Sequence, residues 1–221
     1  MAAAAASADS PKPEPLRYLV VLDFKATCDE PEPADFVQEI IEFPMILYDI
    51  KHQREVSRFQ QFVRPEKSTI LTAFCTELTG ITQDQVDAAS PFLKVNANAL
   101  GWLWENDLSS DDPSNFAVVT YGDWDLGKCY PSQLKHTIGR DTNVGVCTPK
   151  CFRQWINIKT AYQTRENHAG KGPKLSDALA HLEIEHTGRL HSGIDDCYNT
   201  LKICTRYIAD GWTPAVTSAM V

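Results

Sequence analysis

The stretch Tyr18-Leu-Val-Val-Leu-Asp-Phe-Lys-Ala-Thr-Cys28 decides how the chain is read. An apolar or aromatic run from Tyr18 to Leu22 leads straight into Asp23. A short continuous apolar run of this kind reads as a central strand buried on both faces. It delivers a carboxylate at its carboxyl end, where open α/β sheets place their ligands. Lys25 follows two residues later, on the same side of an extended chain as Asp23.

Two further stretches carry acids beside buried-type elements: Thr120 to Leu126 (TYGDWDL) and His191 to Asp196 (HSGIDD). Asp125 follows the apolar run FAVVT, and Asp196 falls in the first turn of a helical stripe formed by Ile194, Cys197, Leu201, Cys204 and Ile208. Carboxylates converging from three separated segments suggest a divalent-metal site. His191 precedes Asp196 by five residues and sits well to take a proton from a metal-bound water. Taken singly, each residue also suits a bland role. An acid after a strand is common, and Asp195-Asp196 also reads as a charge pair against a helix dipole.

The remaining features bound the answer. With 221 residues and 43% apolar content, one folded domain plus a tail is expected. Residues 1–15, MAAAAASADSPKPEP, have neither the charge pattern of a signal peptide nor that of a transit peptide and read as a disordered tail. Residues 16–213 form the expected domain and 214–221 a short C-terminal tail. No apolar run approaches the roughly 20 residues of a membrane span, so no membrane partner is expected, and cytoplasm or nucleus is the expected location. The seven cysteines read as reduced thiols; Cys147 and Cys151 are four apart, but no second Cys/His pair completes a zinc pattern. The net charge of −8 argues against a general nucleic-acid binder. Between Lys135 and Lys174, however, eight Lys/Arg face only two acids, which suits either a strand-binding rim or a solvated surface.

In chain order, residues 17–24 form a first strand and Cys28 to Glu39 a loop punctuated by Pro31 and Pro33. Ile40 to Tyr48 and Ser57 to Val63 continue the sheet as a meander. Thr72 caps a helix that stops at Gly80. Ser90 caps a longer helix with Pro91 at its first position. Phe116 to Thr120 is a strand, Asp125 to Ile138 a helix, Trp155 to Lys159 a strand, Thr164 to Pro173 a loop, and Lys174 to Leu182 a helix. This order gives an α/β fold, a mixed sheet flanked by helices, as in the ribonuclease H-like class.

On these motifs the chain resembles the DEDDh family of 3′→5′ exonucleases, in the branch of the enhanced-RNAi and histone-mRNA 3′-end exonucleases. VVLDFKATC resembles that branch's first motif, GDWDL the second and HSGIDD the third; FCTELTGITQDQVDAASPF and WINIK resemble intervening segments. The resemblance covers residues 17 to about 212 and makes 16–213 an exonuclease domain. It implies two Mg²⁺ or Mn²⁺ ions held by Asp23, Asp125 and Asp196, with His191 as general base. It implies that Phe24 and Ala26 lie beside the terminal nucleotide and that Leu78 and Ile81 wedge against the last base. Leu78 and Ile81 also suit a core at a helix end. Single-stranded RNA 3′ ends are the implied substrate, and the lack of an appended nucleic-acid-binding module within the chain leaves targeting to a protein partner.

Lys25 departs from the pattern, which has a metal-ligating glutamate at this position. A protonated lysine has no lone pair to donate. Even at an effective dielectric near 20, a unit charge ~4 Å from a divalent ion is worth several kcal/mol. Asp29 and Glu30 lie too far along the loop to replace the missing carboxylate. Two readings stand open: a working exoribonuclease, or a pseudo-exonuclease that keeps the fold and binds RNA or protein without cleaving. In the second, Lys25 takes the place of a missing metal and pairs with Asp23, Asp196 or a phosphate. A third is a purely structural interaction module.

Overall fold

The computed structural model describes residues 15–139, 143 and 147–220. The first strand, β1 (Tyr18–Leu22), has every residue after Tyr18 fully enclosed. It pairs antiparallel with β3 (Ile40–Asp49) on one side and parallel with β6 (Phe116–Thr120) on the other, which explains its uninterrupted apolar character. Alternation divides its side chains between two cores. Val20 and Leu22 face a cluster with Phe43, Phe92 and Trp155, whereas Leu19 and Val21 face one with Cys197, Leu201 and Tyr207.

After Asp23 the chain re-enters the sheet as β2 (Lys25–Ala26), paired with β3 across a register shift. The expected strand over 17–24 is therefore broken at Asp23-Phe24, and the register shift against β3 falls just beyond, between Lys25 and Ala26. β3 and β4 (Arg54–Arg64) form the expected meander. Thr72 caps α1 (Ala73–Thr79), accepting the Cys75 N–H, and Gly80 ends it in the left-handed region at φ 78°. A capping box at Thr82 and Gln85 opens α2 (Gln83–Asp87).

Ser90 does not cap the next helix. Ser90 and Pro91 instead pair with β4 as a two-residue strand, β5, and Pro91 takes the cap position of α3 (Phe92–Glu105). The backbone of these residues is extended, so sheet pairing at the edge replaces a side-chain cap.

Beyond β6, a π-helical turn over Asp125–Cys129 runs directly into α4 (Tyr130–Ile138). Next come β7 (Gln154–Asn157), α5 (Ile158–Arg165), α6 (Leu175–His181) and α7 (Gly193–Ala209). The strand expected through Lys159 stops two residues early. The Asn157 side chain turns back to accept the N–H groups of Lys159 and Thr160, capping a helix where the sequence suggested strand and then loop. Ser218–Ala219, expected in a C-terminal tail, pairs with β7 as β8. Thr217 secures it by accepting the Asn157 N–H.

The resulting sheet runs β5-β4-β3-β1-β6-β7-β8 with β2 attached to β3. α7 packs across β3 and β1, so its first turn arrives beside the carboxyl end of β1. Residues 1–14, most of the tail, and Arg140 in the basic segment lie outside the described residues.

Candidate functional site

Asp23 leaves β1 at its carboxyl end, Asp125 opens the π-helical turn after β6, and Asp196 lies in the first turn of α7. The two parallel strands end side by side, which brings Asp23 and Asp125 together. Asp125 Oδ1 accepts the Phe24 N–H at 2.8 Å, across 101 residues of sequence. Lys25 lies between the other two acids. Its Nζ donates to Asp23 Oδ1 and to Asp196 Oδ2, each at 2.7 Å, from a side chain 11% exposed. The break between β1 and β2 lets Lys25 fold back over Asp23, as their shared side of the strand implies.

The electrostatics follow from burial and crowding of like charges. Burial pushes the Asp23 carboxyl up to about 6, with Asp196 adding to the rise and Lys25 opposing it. Burial likewise raises Asp125 well above the ordinary carboxylate range; Asp23 adds to this, while the Phe24 N–H and Lys25 pull it down. Burial disfavours the Lys25 ammonium, but Asp23 and Asp196 outweigh it and hold its pKa above the ordinary lysine value. The lysine is therefore a fixed cation.

A fourth acid was not singled out from the sequence. Glu42 on β3 stands opposite Lys25 in the strand register and is 2% exposed. Its carboxylate accepts the Gly193 N–H at 2.9 Å and the Gln60 side chain at 2.7 Å, anchoring the start of α7. The available signal was a lone charge inside the apolar run IIEFPMIL. Gly193 has no room for a side chain: a Cβ would lie 2.7 Å from Glu42 Oε2 and 2.9 Å from the Asp23 carbonyl oxygen.

These groups border an open cavity of about 600 Å³. Asp23, Phe24, Lys25, Ala26, Leu78, Asp125, His191 and Asp196 all line it. Phe24 does so mainly through its backbone, its ring being packed among Phe43 and Tyr130. His191 adopts a left-handed backbone at φ 63° on the loop into α7 and is exposed. Ile81, expected beside a terminal base, does not line this cavity. The turn at Gly80 carries it inward, where it packs with Ile41, Leu71, Cys75 and Val86. Tyr121, Trp124 and Lys174 also line the wall; neither aromatic was given a binding role from sequence. Of the basic segment, Lys174 reaches the cavity, whereas Arg165 stacks over Tyr207.

Residues 20–204 match the Exonuclease (RNase_T) family model. The chain belongs to the exonuclease family. It is 37% identical over 199 residues to mouse 3′-5′ exoribonuclease 1, covering 88% of this chain and 54% of that protein. It is 39% identical over 194 residues to human ERI1 exoribonuclease 3, covering 86% of this chain and 53% of that protein. The chain thus spans about half the length of these curated relatives. Among solved structures it resembles the nuclease domain of 3′hExo, a DEDDh family member bound to rAMP. There the TM-score is 0.82 at 34% identity, over 93% of this chain and 98% of that one. A structure of 3′-end-specific recognition of histone mRNA stem-loop by 3′-exonuclease gives 0.82 at 33% identity, over 94% of this chain and 88% of that one. No described helix is long and apolar enough to cross a membrane.

The exonuclease family uses divalent ions, so the donor set can be tested against that chemistry. Asp23, Asp125 and Asp196 supply hard oxygen ligands of the right type. Lys25 does not fit. Its ammonium takes one oxygen from each of Asp23 and Asp196, and at an effective dielectric near 20 it would repel a divalent ion ~4 Å away by about 8 kcal/mol. Among the described residues no group of three or more His, Cys, Asp or Glu is arranged to hold a metal ion. With Lys25 in this position the residues present do not fit a two-ion centre.

Proposed function

We propose that this chain binds the 3′ ends of single-stranded RNA in the cavity beside β1 and does not hydrolyse them. The observation that carries this reading is the double ion pair of Lys25 with Asp23 and Asp196. It neutralises part of the acidic cluster from within, at the position where the family resemblance calls for a carboxylate. The lysine serves as a covalently attached cation that holds the two acids in register. The family relationship and the similarity to the structure of 3′-end-specific recognition of histone mRNA stem-loop support RNA 3′ ends as the ligand.

The cavity offers what a terminal nucleotide needs. Trp124 is 38% exposed and Tyr121 stands in the same wall, giving faces on which a base can stack. Lys174 and His191 offer groups for a phosphate or ribose, and Leu78 an apolar edge. A protein partner would provide targeting.

The test is trimming of 3′-labelled single-stranded RNA in Mg²⁺ or Mn²⁺ by the parent protein, Asp23→Ala and Lys25→Glu, with binding measured in parallel. The parent is expected to bind without trimming, and Lys25→Glu to trim. Trimming by the parent that vanishes in Asp23→Ala would establish instead an exonuclease that tolerates the lysine. Failure to bind RNA at low salt would favour a structural interaction module.

A further inference from the structure

Cys28 and Cys75 come together although 46 residues of chain lie between them, and no role assigned so far uses either. Cys28 follows β2 and is half-buried, and it lines the cavity; Cys75 lies on α1 and is fully buried. Thr72 ties their backbones to each other. Its hydroxyl donates to the Cys28 carbonyl oxygen at 2.7 Å and accepts the Cys75 N–H at 2.9 Å. The Cys75 thiol sits 3.8 Å from the Ala26 carbonyl oxygen, and the Cys28 side chain packs against the small core around Cys75. The neighbouring Cys28 holds the Cys75 thiol below its ordinary value, at about 7, whereas Cys75 and burial push the Cys28 thiol up.

We infer that Cys28 and Cys75 form an oxidisable thiol pair, a site at which a peroxide closes an intramolecular disulfide in the cavity wall. Cys28 is the sulfur a small oxidant reaches, since it faces the cavity. Cys75 draws off the Cys28 thiol proton, the Cys28 sulfur attacks one peroxide oxygen and the O–O bond breaks. Hydroxide leaves and takes up the proton released from the thiol, giving water and a sulfenic acid. The Cys75 sulfur then attacks the Cys28 sulfur, displacing hydroxide, which leaves as water with the Cys75 proton. The balance is two thiols and one peroxide to one disulfide and two waters. Closing the bond draws the sulfurs to about 2 Å and turns the Cys28 sulfur from the cavity toward α1, the helix that carries Leu78.

The experiment treats the full chain with a small excess of hydrogen peroxide, alkylates remaining thiols and maps peptides by mass spectrometry. The expected result is a Cys28–Cys75 cross-linked peptide pair, lighter by two hydrogens than the free peptides and lost on reduction. It should form at least tenfold faster than any cross-link through the exposed Cys147. Cys28→Ser and Cys75→Ser, checked for folding by circular dichroism, should each abolish it. Alkylation of both thiols after peroxide, overoxidation of Cys28 with Cys75 still free, or a cross-link through another cysteine would each overturn the inference. The measurement needs no RNA, so its failure is separable from failure of the RNA-binding reading.

Discussion

Lys25 Nζ and Asp196 Oδ2 meet at 2.7 Å although 171 positions separate them in the chain. One residue comes from β2, just past the central strand, and the other from the first turn of the last long helix. Their pairing joins the two ends of the site through a covalently tethered cation.

Removing that cation should weaken the fold. Lys25→Met leaves Asp23 and Asp196 facing each other without a partner in a largely enclosed place. Breaking a buried pair by deleting one member costs about 3–5 kcal/mol. Urea unfolding at pH 7 should show a loss of that order; a loss under about 1 kcal/mol is what a surface pair gives, and would count against a structural role for the lysine.

The same substitution position should control metal response. In Lys25→Glu the acids have no internal cation, so Mn²⁺ should raise the melting temperature. Occupancy at a hundredfold excess over Kd adds about 2.7 kcal/mol. The parent protein should show no such shift, and chelation with EDTA should leave both its melting temperature and its RNA affinity unchanged. A metal-dependent rise in the parent would contradict the lysine's placement.

Trp124 should matter for ligand and little for fold, being partly exposed in the cavity wall. Loss of a stacking aromatic costs about 1–3 kcal/mol per base. Trp124→Ala should therefore weaken single-stranded RNA binding roughly tenfold or more in fluorescence anisotropy, with a melting temperature close to the parent's.

Two glycines should respond in opposite directions to alanine. At Gly193 the added Cβ meets Glu42, the Asp23 carbonyl and Pro44 at 2.9 Å or less. Overpacking of this kind costs about 1–3 kcal/mol. Gly101, within α3, has nothing within 4 Å of that position, and alanine there should stabilise by about 1 kcal/mol through helix propensity. Denaturant midpoints of the two variants decide the matter.

Asp49 predicts an acid limb of stability. Burial pushes its carboxyl up, but the His52 side-chain and backbone hydrogen bonds and the Arg17 charge outweigh burial, and it sits at about 2. A carboxyl depressed in the folded state stabilises above its unfolded value near 4, and the benefit is lost as pH falls from about 4 to about 2. Asp49→Asn should flatten unfolding free energy over that window while leaving the slope above pH 5 alike.

The sequence by itself determined most of the framework. Tyr18–Leu22 read as a doubly buried strand because every residue is apolar, and Thr72 and Gly80 marked the ends of α1 through capping chemistry that is local. The three acids and His191 stood out because each sits next to such an element, and Lys25 because it is a cation two positions from Asp23. What stayed hidden depends on partners distant in the chain. Ser90 looks like a helix cap until β4 is alongside to pair with it, and WINIK reads as continuous strand until Asn157 turns back on the following turn. Ile81 looks equivalent to Leu78 until Gly80 sends one inward and leaves the other at the cavity. Glu42 is one charge in an apolar strand until Gly193 docks against it. The two partners of Lys25 were decided the same way. Spacing along an extended chain brings it to Asp23, but only the packing of α7 across β1 and β3 brings Asp196 within reach, because a side chain's electrostatic environment is set by whatever folding places within a few ångströms.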